Sequence, residues 1–208
     1  MLARLGTHWY FKALGTTVFM LFFFWGYLSL LRHPVFPVTV MPLMEMDGWI
    51  AFQPGFLPIY ISLWVYVSLP PAFLETRKEL VAYTGHITLV CLIGLLTYLF
   101  WPTVIPASQI DWAHFPGVSH LKALDAAGNA FPSLHVATAF FSALWLDRQL
   151  SEMGSGRGLR MVNALWCLGI VYSTLAIKQH VMWDVLAGLL LGGIIAVWSL
   201  RARKNGGY

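Results

Sequence analysis

Apolar runs long enough to cross a bilayer constrain this chain more than any other feature. A helix needs about 20 mostly apolar residues to span the ~30 Å hydrocarbon layer. Six stretches meet or approach that length: Ala13–Leu31, Phe56–Phe73, Tyr83–Trp101, Phe131–Leu146, Leu159–Ile177 and Val181–Leu200. With 58% hydrophobic and 11% charged residues, the chain is too apolar for a water-soluble fold of 208 residues. We therefore expect an all-α polytopic membrane protein, with residues 1–208 forming a single six-span domain.

The basic residues indicate how the spans are oriented. Ten of the 13 lysines and arginines fall on one side of the predicted spans: Arg4, Lys12, Arg77, Lys78, Arg148, Arg157, Arg160, Arg201, Arg203 and Lys204. The other side holds Arg32, Lys122 and Lys178. The positive-inside rule then predicts that both termini are cytoplasmic and that the longer loops, Arg32–Gly55 and Pro102–Ala130, lie outside. The net charge of +4 forms no basic face, so we expect no nucleic-acid partner.

The first chemically informative segment is Phe131–His135, at the predicted exterior end of the fourth span. Proline is favoured at the first position of a helix, which predicts that Pro132 begins this one. The main-chain N–H groups of Ser133, Leu134 and His135 would then lack intrahelical acceptors and form an anion site. Ser133 adds a hydroxyl, and His135 can carry a proton near neutral pH. The alternative is an ordinary helix start with a chance histidine.

A second segment places His180 four residues before Asp184, within reach on one helical face. Asp184 lies in an apolar run, where an unpaired carboxylate is costly and ionisable groups are functional or paired. A carboxylate that holds one imidazole nitrogen leaves the other free as a nucleophile. The alternative is a structural His–Asp pair that only satisfies itself.

The predicted topology places both segments at the exterior membrane surface. Two imidazoles beside an anion site suit phosphoryl transfer, in which one histidine attacks phosphorus and the other protonates the leaving oxygen. The sequence contains no P-loop and no carboxylate cluster for magnesium. A phosphohistidine route without metal or other cofactor is therefore expected.

These segments resemble motifs of the type 2 phosphatidic acid phosphatase (PAP2) superfamily, which includes lipid phosphate phosphatases and vanadium haloperoxidases. Its Pro-Ser-Gly-His motif is similar to Pro132–His135, with Leu134 in place of glycine. Its Ser-Arg-x5-His-x3-Asp motif is similar to the segment from Ser173 to Asp184, with Thr174 in place of arginine. The Phe-Pro-Ser-Leu-His form most resembles the branch of inositol phosphorylceramide synthase-like proteins.

The resemblance implies a six-helix bundle that acts on a phosphate-bearing lipid in the bilayer, with catalytic motifs within residues 129–188. His180 would be the nucleophile, Asp184 its orienting group and His135 the general acid. The candidate phosphate-binding residues are Ser133, Leu134, Ser173, Lys178 and Asn129.

The chain departs from the family in its cations. The Lys-x6-Arg-Pro motif has no counterpart near the end of the third span, and Thr174 is uncharged. Lys178, Lys122 or Arg32 could substitute, although an ammonium group does not replace a bidentate guanidinium. A diester needs fewer cations, which favours phosphotransfer to an alcohol over monoester hydrolysis. A non-catalytic lipid-binding or transport protein stays open as the alternative function, and the oligomeric state stays open as well.

Overall fold

The computed structural model describes residues 6–125, 128–204 and 206, and the chain is mostly helical. In chain order the elements are α1 (Trp9–Arg32), β1 (Thr39–Val40), α2 (Glu45–Trp49), a 3₁₀ turn (Pro54–Phe56), α3 (Leu57–Ile61), α4 (Leu63–Tyr66), α5 (Leu69–Phe73), α6 (Arg77–Phe100), β2 (Thr103–Val104), a second 3₁₀ turn (Trp112–His114), α7 (Pro116–Leu124), α8 (Leu134–Glu152), α9 (Arg157–Ala176) and α10 (Met182–Lys204).

Five segments of the described chain are long and apolar enough to cross a membrane: Trp9–Arg32, Pro54–Phe73, Arg77–Phe100, Arg157–Ala176 and Met182–Lys204. They confirm the expectation of a multi-pass integral membrane protein. The second of these is not one continuous helix. It is divided into α3, α4 and α5, and prolines stand in the first turns of α3 and α5. Proline lacks an N–H and clashes with the preceding turn, which explains the break between α4 and α5.

The predicted fourth span corresponds to α8, which is not among the five apolar segments. Its 19 residues rise about 28 Å, close to the hydrocarbon thickness. Eleven of these residues are buried, so α8 is surrounded by protein more than by lipid. An enclosed helix can carry polar residues that face its neighbours, and Ser142 and Gln149 of α8 are both buried. The count of six spans stays a prediction.

The start of α8 also differs from the prediction. The helix begins at Leu134 and not at Phe131, because Ser133 acts as its N-cap and accepts the Val136 N–H with its hydroxyl at 3.2 Å. Pro132 therefore precedes the cap and does not occupy the first helical position.

The core surrounds α8 on two sides. One cluster joins α8 to α6 and α10 through buried side chains that include Val90, Phe141, Trp145 and Ile195. A second joins α8 to the broken span and α9 through Leu63, Tyr66, Leu146 and Ile170. The central helix is thus held by elements from both halves of the chain.

The two long loops, Arg32–Gly55 and Pro102–Ala130, are joined by a small parallel sheet, an exception to the all-α expectation. β1 and β2 pair Thr39 with Thr103 and Val40 with Val104. The Thr103 hydroxyl also accepts the Phe131 N–H at 2.8 Å, which anchors the segment that leads into α8. The sheet thereby fixes the loops next to the start of the central helix.

Candidate active site

His180 and Asp184 are in contact, as their spacing predicts, although they do not share a helical face: His180 lies two residues before α10 and Asp184 lies in its first turn. His180 Nδ1 is 3.4 Å from Asp184 Oδ2, and the same oxygen accepts the Val181 N–H at 3.0 Å. The Asp184 side chain is fully buried, whereas that of His180 keeps 10% exposure. The carboxylate engages Nδ1, which leaves His180 Nε2 as the nitrogen available for nucleophilic attack.

His135 lies in the first turn of α8, against the broken second span. Its Nε2–H donates to the Tyr60 carbonyl oxygen at 3.1 Å. Its ring stacks on the Tyr60 ring with centroids 3.9 Å apart. Because a carbonyl oxygen can only accept, Nε2 carries the proton and Nδ1 is the nitrogen left for proton exchange with a substrate.

The N–H groups at the start of α8 are used differently from the predicted anion site. The Ser133 N–H donates to the Asp184 carbonyl oxygen at 3.0 Å, and Ser133 is fully buried. The expectation that this N–H forms part of an anion site is therefore wrong, because the group joins α8 to α10. The first-turn N–H groups of Leu134 and His135 are the ones that α8 can offer to an anion.

One cavity contains both histidines, and we call it the central cavity. Its volume is ≈ 100 Å³, and its polar lining consists of Tyr27, Tyr60, Tyr98, Asp125, Asn129, His135, Thr138 and His180. The rest of its lining is apolar or aromatic and comes from α1, the second span, α6 and α8: Phe19, Met20, Phe23, Phe24, Leu63, Trp64, Val67, Ile87, Cys91 and Leu134. The described lining includes no lysine or arginine. Such a cavity suits an amphiphile more than a free phosphate.

A second pocket, of ≈ 210 Å³, reaches His180 from the loops Arg32–Gly55 and Pro102–Ala130, and we call it the loop pocket. Asp47, Ser108 and Lys178 contribute polar groups to it. The Lys178 ammonium donates to the carbonyl oxygens of Asp47 and Ile50. His180 lines both spaces and stands where they meet.

The remaining predicted residues divide between the two spaces and the core. Asn129 lines the central cavity and donates its amide to the Tyr27 carbonyl oxygen at 3.1 Å. Ser173 is fully buried, and its hydroxyl donates to the Ile170 carbonyl oxygen at 2.6 Å. It lines neither the central cavity nor the loop pocket. The structure thus brings His135, His180, Leu134 and Asn129 to one cavity and leaves Ser173 in the core.

Two charged groups of the Pro102–Ala130 loop lie near the site. Burial lowers the pKa of Lys122 to about 8, against the opposing effect of Asp125. The Lys122 ammonium donates to the Lys178 carbonyl oxygen at 2.8 Å and stands 4.5 Å from the centre of the Trp112 ring. Burial raises the pKa of Asp125, against the effects of His180, the Tyr27 hydrogen bond and Lys122. Neither Lys122 nor Arg32 lines the central cavity.

Sequence reasoning missed three residues of this site. Tyr60 orients His135, Asp125 lines the cavity, and Asp47 accepts the Met182 N–H at 2.8 Å to cap α10. Asp47 lies in the predicted loop Arg32–Gly55, yet it is only 9% exposed. Each of these contacts joins segments that are distant in the sequence, and the only available signal, for the two aspartates, was a carboxylate in an unusually long loop.

Neither the curated proteins nor the solved structures include a match to this chain. The model of the PAP2 superfamily matches residues 80–207, from α6 to beyond the end of α10 and through both histidine motifs. Because that match covers more than half of the 208 residues, the chain belongs to the PAP2 superfamily.

Proposed function

We propose that this chain is a membrane-embedded phosphatase or phosphotransferase that acts on a lipid phosphate ester through a phosphohistidine intermediate. Members of the PAP2 superfamily are generally phosphatases or phosphotransferases. The observation that carries the proposal is that His135 and His180 line one cavity. In each imidazole one ring nitrogen contacts another residue, and the other is available for nucleophilic attack or proton transfer.

In the first step His180 Nε2 attacks phosphorus. The N–P bond forms while the P–O bond to the leaving group breaks. His135 begins this step as an imidazolium, gives its Nδ1 proton to the leaving oxygen and keeps the Nε2 proton on the Tyr60 carbonyl. Asp184 stabilises the positive charge that develops on His180, since its carboxylate lies against Nδ1. The first-turn N–H groups of α8 stabilise the equatorial phosphoryl oxygens.

In the second step an oxygen nucleophile attacks the phosphohistidine. His135 Nδ1 takes its proton, the new P–O bond forms and the N–P bond breaks. Water as acceptor yields a phosphatase, and an alcohol yields a phosphotransferase. The loop pocket supplies a route by which either acceptor reaches His180 from the exterior side.

We place the site at the exterior, periplasmic or lumenal surface, within a bundle of six spans and with both termini cytoplasmic. The bias of ten basic residues against three supports this orientation. The length of α8 supports counting it as a membrane-spanning helix in addition to the five apolar segments, which gives six spans.

The lack of lysine and arginine in the described cavity lining favours a second candidate, a lipid-binding or transport protein without turnover. It also favours a diester donor among the enzymatic possibilities, because a diester carries one negative charge where a monoester carries up to two.

The test is activity of the purified chain in lipid nanodiscs against phosphate monoester and diester lipids. Release of inorganic phosphate is compared with transfer of the phospho-headgroup to an added alcohol. We expect His180→Ala to lose turnover completely, and His135→Ala to lose about 10²–10⁴-fold in kcat. A labelled phosphoryl group should be trapped on the wild-type chain and not on His180→Ala.

The matched control is His114→Ala, because His114 forms an exposed pair with Asp111 at 3.0 Å outside both spaces. This variant should retain wild-type kcat. A folded wild-type chain that binds lipid but neither releases phosphate nor transfers a headgroup would contradict the enzymatic proposal and support the binding protein.

A further inference from the structure

Asp125 is an acidic side chain in a cavity where a phosphate site would be expected to carry basic ones. It lines the central cavity together with His180, and Tyr27 donates its hydroxyl to Asp125 Oδ1 at 3.0 Å. Among the described residues no lysine, arginine or histidine lies within ion-pair distance of it, and His180 and Lys122 act on its charge only from beyond that distance. Lys122, the nearest cation along the chain, is engaged by the Lys178 carbonyl and the Trp112 ring.

A carboxylate withdrawn from water without a cationic partner is costly, and its burial raises the pKa of Asp125. A bound cation would remove that cost. The same carboxylate would repel a phosphate monoester that carries up to two negative charges, with no lysine or arginine in the described lining to offset the repulsion.

The aromatic side chains that line the central cavity are a second feature that favours a positively charged ligand. Tyr27 and Tyr98 lie edge to face with centroids 6.1 Å apart, and Tyr60 and Trp64 line the same space. Aromatic faces attract ammonium groups, most strongly where water is excluded. A carboxylate beside several rings is the chemistry by which proteins recognise alkylammonium ions.

We propose that the central cavity selects a zwitterionic lipid phosphodiester, with Asp125 as the counterion of its ammonium headgroup. The inference deepens the proposed function and rests on it for the position of the phosphate. The phosphate lies between His135 and His180, the ammonium lies by Asp125 and Tyr27, and the hydrocarbon chains follow the apolar lining contributed by α1.

The experiment compares phospholipids that share acyl chains and differ in headgroup: choline, ethanolamine, glycerol and none. We expect kcat/KM for the choline and ethanolamine lipids to exceed that for the glycerol lipid by about tenfold. Asp125→Asn should lower that ratio towards one. Asp111→Asn, an exposed acid on the same loop, should leave the ratio unchanged. Equal turnover of all four lipids, or an unchanged ratio in Asp125→Asn, would overturn the inference and leave the proposed function standing.

A binding measurement separates the two proposals. In nanodiscs that contain His180→Asn, competition between choline and glycerol lipids should favour the choline lipid, and Asp125→Asn added to that background should remove the preference. If no lipid is turned over by the wild type but this preference is found, the ammonium site stands and the catalytic proposal fails. Absence of the preference overturns the ammonium site.

Discussion

Two aspartates, one local and one distant, hold the residues that begin α10. Asp184 reaches back to the Val181 N–H at 3.0 Å, and Asp47 accepts the Met182 N–H at 2.8 Å. The first N–H groups of a helix have no intrahelical acceptor, so these carboxylates satisfy them and also favour the positive end of the helix dipole. Because Asp184 also contacts His180, the candidate nucleophile is positioned through the same contacts that start the helix.

We expect Asp47→Ala to destabilise the protein by roughly 0.5–2 kcal/mol, the usual cost of losing a helix cap. It should also lower kcat, since the segment that carries His180 loses a fixed attachment. Asp47→Asn keeps one acceptor oxygen for the Met182 N–H but loses the one that accepts the Met44 N–H, so it should recover part of both losses. Thermal unfolding in detergent and initial rates measure the two effects, with Glu45→Ala as control, because Glu45 is exposed on the same short helix. Equal unfolding temperatures for Asp47→Ala and Glu45→Ala would contradict this role.

Among the elements, α8 and α10 approach each other closely at two glycines of α10, Gly188 and Gly192. A Cβ atom on Gly188 would lie 2.6 Å from the Ser133 carbonyl oxygen, and one on Gly192 would overlap the Ala137 carbonyl oxygen. Small residues four apart allow membrane helices to bring their backbones together. His135 lies on α8 and Asp184 lies on α10. The packing of these two helices therefore sets the distance between the two histidine segments of the site.

Gly188→Ala should therefore destabilise the protein by about 1–3 kcal/mol through overpacking, and it should lower kcat/KM because the backbone that precedes His135 must move. Gly85→Ala is the matched control: this α6 glycine has no heavy atom within 4 Å of the position a Cβ would take. Both variants gain the helix propensity of alanine, so the difference in their unfolding temperatures reports the packing alone. Gly188→Ala unfolding at or above the temperature of Gly85→Ala would exclude this packing role.

Periodic and local features were predictable from the sequence, and contacts between distant segments were not. Apolar length located α1, α6, α9 and α10 to within a few residues at most ends, and the four-residue spacing placed His180 beside Asp184. The stacking of His135 on Tyr60 joins residues 75 positions apart, and no local pattern specifies which ring a half-buried histidine meets. The start of α8 was misplaced because Ser133 is a strong N-cap, a signal that competed with the helix-starting preference of Pro132.

At the scale of the whole molecule, an ion-pair network and the two candidate catalytic histidines lie at opposite ends of the helix bundle. Arg203 pairs with Glu79 at 2.8 Å and with Glu152 at 3.0 Å, which joins the start of α6 to the last turns of α8 and α10. The histidines lie at the other ends of α8 and α10. If α8 crosses the bilayer, both termini lie on the side of this ion-pair network, whereas five crossings would place the termini on opposite sides.

Single cysteines introduced at Gly6, His114, Ser151 and Gly206 distinguish these arrangements with a membrane-impermeant maleimide. We expect His114→Cys to be labelled in right-side-out vesicles, and Gly6→Cys, Ser151→Cys and Gly206→Cys to be labelled only in inside-out vesicles. The wild-type chain supplies the background, because Cys91 and Cys167 are buried. Labelling of Gly6→Cys and Gly206→Cys from opposite sides would show an odd number of crossings. Labelling of Ser151→Cys from the same side as His114→Cys would show that α8 does not cross, and the active site would then need a different membrane placement.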